Sequence, residues 1–366
     1  MPRPWRPAMA DLPLRDDLVG ESPYGAPTDD VPVRLNVNEN PYSPPAAVVA
    51  AIAEAAAAAA EQINRYPDRE VSALREALAD YVGDGVTAAD IWPANGSNEV
   101  MHQLLGAFGG PGRTCVSFAP TYSMYPVYAR DTNTAFLTVP RHPDHSVDLD
   151  AARRLIEEVA PSVVVVASPN NPTGGVLTHD DVRALYGLTA PGLLVVDEAY
   201  VEFAGPGSSA VPLLASMPNL VVLRTLSKAW GLAGLRLGYA VAAPAVVDAL
   251  RLVRLPYHLS AITQAAATAA LAHRGALLAP VPEVVAEREK LAGWLTQHGI
   301  PFAPSRANFI LLGPLPDSHG TFEALRARGV LVRESAGPGH LRVSIGTPDE
   351  NDALREALQD LMGRTP

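Results

Sequence analysis

Apolar β-branched runs alternate with helix-period stretches through the middle of the chain. Residues 114–118, 135–139, 163–168, 193–197, 220–225 and 235–241 read as strands, several of them apolar at nearly every position. Between them, 98–108, 149–160 and 180–188 carry apolar residues at helical spacing. Apolar strands separated by helices predict an α/β fold with a mostly parallel central sheet covered on both faces. After about residue 245 the pattern changes. Helices are predicted over 245–254, 260–273 and 284–298, then short strands at 308–312, 330–333 and 341–345, and a last helix from Asp349. The expected organisation is an irregular Pro-rich arm (1–40), a large domain (41–250) and a smaller α+β domain (251–366). The alanine run at 46–60, interrupted by Glu54, reads as a buried or half-buried helix and not as a membrane span.

Composition narrows the function. Among 366 residues, 48% are hydrophobic and 18% charged, which is a globular balance with enough chain for two domains. A net charge of −11 with no basic run argues against nucleic acid or an anionic membrane as partner. The N-terminus has no apolar core of the secretory kind, and the single cysteine, Cys115, fits a reducing cytoplasm. Cys115 lies inside a predicted strand and reads as core, not nucleophile. Of the 28 basic residues only Lys228 and Lys290 are lysines. Arginine in place of lysine, with abundant alanine and proline, is what base composition in a GC-rich genome produces. Neither lysine stands in a Gly-Lys-Ser/Thr loop, so phosphate-loop enzymes are excluded. Any lysine chemistry has two candidates.

The stretch from Leu220 to Gly238, LVVLRTLSKAWGLAGLRLG, places Lys228 in a small-residue turn after a strand. Thr225, Ser227 and Arg236 together offer hydroxyls and a guanidinium fork to one phosphate. A lysine beside such a site can attack a carbonyl and form a Schiff base once a cation or desolvation lowers its pKa. The plainer reading is a surface lysine. For Lys290 in AEREKLAG the plain reading is stronger, since Glu287 is available at i−3.

Three further segments bear on the same chemistry. Asp197 ends a buried strand, where open α/β sheets put their ligands, and a carboxylate there can pair with a protonated pyridine nitrogen. Tyr200, three residues on, can donate to a phenolate oxygen. An ordinary helix-capping Asp is the alternative. Ser168–Gly175, SPNNPTGG, is dense in turn formers and brings two amide side chains together. Ala94–Val100, ANGSNEV, opens a helix whose free N–H groups can hold an anion, although N-capping by Ser97 reads equally well. His142, Asp144 and His145 in RHPDHS suggest a metal only weakly, because no further ligand cluster accompanies them. No metal site is expected.

Taken together, these segments make the chain resemble a fold-type I pyridoxal-phosphate aminotransferase of the class I/II group, and within it the histidinol-phosphate aminotransferases. The resemblance extends from SPYGAP (22–27) and LNVNENPY (35–42), past NRYPDR, PTYSMY and SPNNPTG, to LRVSIGTPDEND (341–352). It implies pyridoxal 5'-phosphate bound through Lys228, with Asp197 on the pyridinium, Asn171 and Tyr200 on the phenolate oxygen, and Tyr122 stacked on the ring. It implies a phosphate held by Ser97, Asn98, Thr225, Ser227 and Arg236. Tyr66 would reach the cofactor of a partner subunit in a homodimer with shared active sites. Arg342, with Arg333, Tyr24 and Asn38, would hold the substrate. The implied reaction exchanges an amino group between L-histidinol phosphate and 2-oxoglutarate in histidine biosynthesis. An aromatic amino acid aminotransferase or a threonine-phosphate decarboxylase would keep the same cofactor residues. Trp230-Gly231 departs from the Phe-Ala more usual after the lysine.

Overall fold

The computed structural model describes residues 13–362 except Tyr24 and Ala26. In chain order the strands begin with β1 (Val33–Arg34), β2 (Ile91–Ala94), β3 (Thr114–Ala119) and β4 (Ala135–Pro140). Next come β5 (Val163–Ala167), β6 (Leu193–Asp197), β7 (Leu220–Thr225) and β8 (Gly238–Ala242). The last are β9 (Phe302–Ala303), β10 (Phe309–Leu312), β11 (Val330–Leu331), β12 (Arg333–Glu334) and β13 (Leu341–Ser344). The central sheet has the order β2-β8-β7-β6-β5-β3-β4. Strands β3 to β7 are mutually parallel, while β8 runs antiparallel to both its neighbours. Every residue of β5, β6, β7 and β8 is buried, as their continuous apolar runs require.

The strands predicted at 193–197 and 220–225 are reproduced to the residue. The one predicted at 235–241 is shorter. Residues Ala233–Leu235 form a 3-10 turn, and Arg236 sits in the left-handed region at φ +56°, so extended structure resumes only at Gly238. Strand β2 escaped the sequence reading because Pro93 interrupts its ladder, and it lies at the sheet edge, where proline is tolerated.

The helices begin with α1 (Ala46–Ala60), α2 (Ser72–Val82), α3 (Ser97–Phe108), α4 (Tyr125–Asp131), α5 (Leu149–Val159) and α6 (His179–Thr189). They continue with α7 (Pro244–Val253), α8 (Ala261–Ala272), α9 (Arg274–Leu278), α10 (Val281–Gln297), α11 (Ser318–Ala327) and α12 (Pro348–Met362). Of the two expectations for α1, buried or half-buried, the fully buried one is corrected. Only Val48 is buried, and the helix lies against α8 with Val49 exposed, because alanine side chains on all faces give it no single apolar stripe. None of the described helices is long and apolar enough to cross a membrane.

The smaller sheet is antiparallel, in the order β12-β13-β10-β9. The strand predicted at 330–333 divides between two sheets: β11 pairs in parallel with β1, while β12 joins β13. The N-terminal segment is thereby anchored to the C-terminal part of the chain. Leu35 continues the contact, donating to the Leu331 carbonyl and accepting from the Ser344 N–H. Trp230 is buried and meets the Tyr81 ring edge-on at 4.7 Å, and Gly231 takes φ +65° against the Tyr42 carbonyl.

Candidate active site

The carboxyl ends of β5, β6 and β7 lie side by side, with Ala167 opposite Asp197 and Asp197 opposite Leu223. The turns that follow these strands open onto a cavity of about 310 Å³. Its walls are completed by the start of α3, the loop before α4, the segment 36–38 and strands β12 and β13. Open parallel sheets place ligands at this edge because the loops after successive strands converge there.

Lys228 lies in the cavity, half-buried, with its Nζ donating to the Val37 carbonyl at 2.9 Å. Burial, reinforced by the Arg342 and Arg236 charges and opposed by Glu39, lowers its pKa to about 8. The neutral amine, the form that attacks a carbonyl, is therefore far more accessible near neutral pH than on an ordinary lysine. Lys290 is elsewhere, an exposed ammonium 2.6 Å from Glu287. That i−3 pair matches expectation, although Glu287 itself is buried.

Asp197 is buried at the end of β6. Burial raises its pKa, while the Tyr125 hydroxyl (2.8 Å) and the Ala199 N–H (3.1 Å) stabilise the anion. Tyr125 was not singled out in the sequence. The PTYSMY motif was visible, but nothing local says that its last tyrosine reaches a carboxylate 72 residues away. Tyr122 lines the cavity and stands edge-on to Tyr125 at 5.5 Å.

An anion cradle occupies another part of the wall. Gly96, at φ +85°, precedes α3, so Ser97 is the first helical residue and not its N-cap. The capping reading of Ser97 is corrected: its N–H and that of Asn98 are among the unpaired donors of the first turn. Arg236 donates to the Ser227 hydroxyl at 3.4 Å, and Thr225 accepts the Ser227 N–H at 3.1 Å. A Cβ on Gly96 would lie 2.7 Å from an Arg236 nitrogen, and one on Gly238 would lie 2.1 Å from the Ser97 N. The glycines admit a guanidinium and a helix start into one small volume.

On the other side, Arg342 is buried on β13 and donates to Asn171 Oδ1 and to the Asn36 carbonyl, both at 2.7 Å. Because guanidinium only donates, Asn171 must turn its oxygen to Arg342 and its NH2 group away from it. Arg333 on β12 stands directly opposite Arg342 in the register and reaches the Gly25 carbonyl at 3.2 Å. Asn38 and Tyr200 line the same cavity and are bonded to each other, Nδ2 to hydroxyl, at 3.1 Å. Tyr24 lies outside the described residues. Tyr66 is not in this cavity: it is 79% exposed and stacks on Tyr257 at 4.3 Å.

Asp144 is bonded to Ser146, and among the described residues no group of three or more His, Cys, Asp or Glu side chains converges. Cys115 is fully buried in β3, and burial pushes its thiol up to about 12.

Comparison with known proteins bears on the whole chain. The family model "Aminotransferase class I and II" matches residues 30–358. A histidinol-phosphate aminotransferase of Thermobifida fusca is 55% identical over 355 residues, 97% of this chain and 96% of that one. One from Corynebacterium efficiens is 50% identical over 360 residues, with 97% and 96% covered. Among solved structures, the histidinol-phosphate aminotransferase from Sinorhizobium meliloti in complex with pyridoxal-5'-phosphate aligns with TM-score 0.80 at 27% identity. That alignment covers 90% of this chain and 92% of the other. A putative histidinol-phosphate aminotransferase from Erwinia carotovora atroseptica aligns with TM-score 0.83 at 26% identity, over 93% and 99%.

Proposed function

The chain belongs to the class I and II aminotransferase family, and from that premise we propose that it transfers an amino group between L-histidinol phosphate and 2-oxoglutarate, a step of histidine biosynthesis. The reading is supported by half-identical relatives over nearly the full chain that carry this name. The observation that carries it is the pairing of Arg333 with Arg342 across β12 and β13, one cavity wall away from Lys228. Like charges directly opposite on an antiparallel pair repel. Two guanidiniums kept there suit a substrate whose anionic group is a phosphate dianion in one half-reaction and a carboxylate in the other, since the fork binds either bidentately.

The cofactor is pyridoxal 5'-phosphate, and the cavity's donors fit it. The glycine-spaced cradle of Ser97, Asn98, Thr225, Ser227 and Arg236 suits its phosphate, and buried Asp197 suits a protonated pyridine nitrogen. When bound, it supplies an electron sink that makes a proton on the substrate carbon removable. Asp197, held by Tyr125, keeps that ring protonated. Tyr122, which lines the cavity, would pack on the ring, and Tyr200 and the Asn171 amide would bond its oxygen. Lys228, with its lowered pKa, anchors the cofactor and, once released, takes and returns the substrate proton at Nζ. Burial of the amine and of Asp197 keeps water from competing for these protons.

A homodimer is part of the proposal. Tyr66, Tyr257, Leu252 and Leu255 are exposed, the last at 71%. An apolar face of this kind suits a second copy of the chain, with Tyr66 directed to the partner's phosphate cradle. A cytoplasmic setting is supported by the lone buried thiol. The two domains (41–250 and 251–366) are supported by separate larger sheets, with β2–β8 in one and β9, β10, β12 and β13 in the other, while β1 of the arm (1–40) pairs with β11 in a third. The deciding assay is amino transfer to 2-oxoglutarate from histidinol phosphate beside phenylalanine. A clear preference for phenylalanine overturns the substrate assignment.

A further inference from the structure

Asn38 sits in a closed circuit of directed hydrogen bonds. Its N–H donates to the Ser344 hydroxyl at 2.8 Å, and that hydroxyl donates back to Asn38 Oδ1 at 2.9 Å. A serine hydroxyl has one proton, so accepting from the N–H leaves that proton for the amide oxygen. The amide is thereby forced to present its NH2 group to the Tyr200 hydroxyl, 3.1 Å away. Three buried residues, 306 positions apart at the widest, thus determine which way one amide faces. The backbone agrees. Asn38 adopts φ +56°, a conformation that asparagine tolerates better than most side chains, and its carbonyl is held by the Asn308 amide at 3.1 Å.

We propose that Asn38 is a positioning residue for Tyr200, aimed by Ser344, and not a substrate contact: its amide makes the Tyr200 oxygen an acceptor and so turns and strengthens the phenol as a donor. The inference rests on the reading above that Tyr200 serves the cofactor's ring oxygen. The side chain of Asn38 has both functional ends engaged within the protein, which leaves little of it for a substrate. Its effect passes through Tyr200, because an oxygen that accepts a hydrogen bond donates its own proton more strongly. A stronger donor on the ring oxygen disperses that oxygen's negative charge. With the cofactor bound, weakening that donor would raise the pH at which its visible absorbance titrates. Ser344 lies two residues from Arg342 on β13, so the circuit ties Tyr200 to the strand that carries the anion-binding arginine.

The test is a pH titration of the visible absorbance of the cofactor-loaded protein, together with KM for the amino donor. Variants are Tyr200→Phe, Asn38→Gly, Ser344→Ala and Ser344→Thr. Glycine accepts the left-handed backbone of residue 38 without strain, so loss of the amide is separated from misfolding, and thermal unfolding of the cofactor-free variants checks this independently. Tyr200→Phe should move the absorbance midpoint upward by about half a unit to one unit, the worth of one hydrogen bond. Asn38→Gly should move it in the same direction by less, adding nothing in the Tyr200→Phe background. Ser344→Ala should give part of that shift, and Ser344→Thr should restore the wild-type midpoint. An unmoved midpoint in Asn38→Gly with a raised KM would overturn the proposal and return Asn38 to substrate binding. An unmoved midpoint in Tyr200→Phe would instead overturn the cofactor reading of Tyr200 itself.

Discussion

The Nζ of Lys228 and the carbonyl of Val37 are 2.9 Å apart although 191 residues separate them in the chain. The amine proposed to anchor the cofactor is thus held by the N-terminal segment and not by its own turn. Asn36, Val37 and Asn38 in succession meet Arg342, Lys228 and Tyr200. Three consecutive residues of an irregular segment therefore touch three cavity side chains from β13 and from the turns after β7 and β6.

Replacement of Lys228 by alanine should abolish the visible band of the bound cofactor and lower amino transfer by about 10⁴-fold. Spectra of the reconstituted variant check this. A persisting band would assign the attachment to Lys290 or another amine.

The same lysine should oppose folding. Unfolded, it keeps its proton up to its ordinary pKa of 10.5; folded, burial and the neighbouring arginines release the proton near 8. Between these values the unfolded chain binds one more proton, so stability rises with pH through that window. Cofactor-free Lys228→Met protein should be more stable than wild type at pH 7, on the order of 3 kcal/mol at most. The gap should close as pH approaches 10.5. Urea unfolding across pH 7 to about 10.5 measures it, and a pH-independent difference would count against a depressed lysine.

Behind Asp197 and Thr225, Glu198 and Arg224 form a buried pair at 3.0 Å, with the Ser209 hydroxyl joining both. Burial pushes Glu198 upward while Arg224 opposes the shift. Removing Arg224 leaves Glu198 buried without its cation, whereas removing Glu198 leaves Arg224 with Glu202 as a second carboxylate. Arg224→Met should therefore destabilise by about 3–5 kcal/mol, and Glu198→Met by less. The double variant should recover much of the loss, a coupling that a double-mutant cycle reads directly.

Tyr66 tests the shared site. A Tyr66→Phe or Tyr66→Ala protein and a Lys228→Ala protein, each impaired alone, should regain activity when mixed and reassembled, because a hybrid dimer contains one unmutated site. Failure to recover activity, with hybrid dimers verified by mass, would argue that each site is complete within one chain.

The sequence by itself determined the elements whose signals are local. Continuous apolar runs gave β5, β6 and β7, and Asp197 at the end of β6 with Asn171 and Lys228 in the turns beyond β5 and β7 were legible as cavity candidates because ligands at a parallel sheet collect at the strand termini. Arg236 was legible from its spacing to Ser227. The tertiary structure alone decided what crosses long stretches of chain. Tyr125 became the partner of Asp197, β11 and β12 parted into different sheets, and Arg333 came to face Arg342. It also brought the amide of Asn38, expected at the substrate, within hydrogen-bond reach of the Tyr200 hydroxyl. The division has a physical cause. Backbone preference and hydrophobic period act over a few neighbouring residues. The direction of a buried amide or guanidinium is set instead by the donors and acceptors left to it once distant strands have packed.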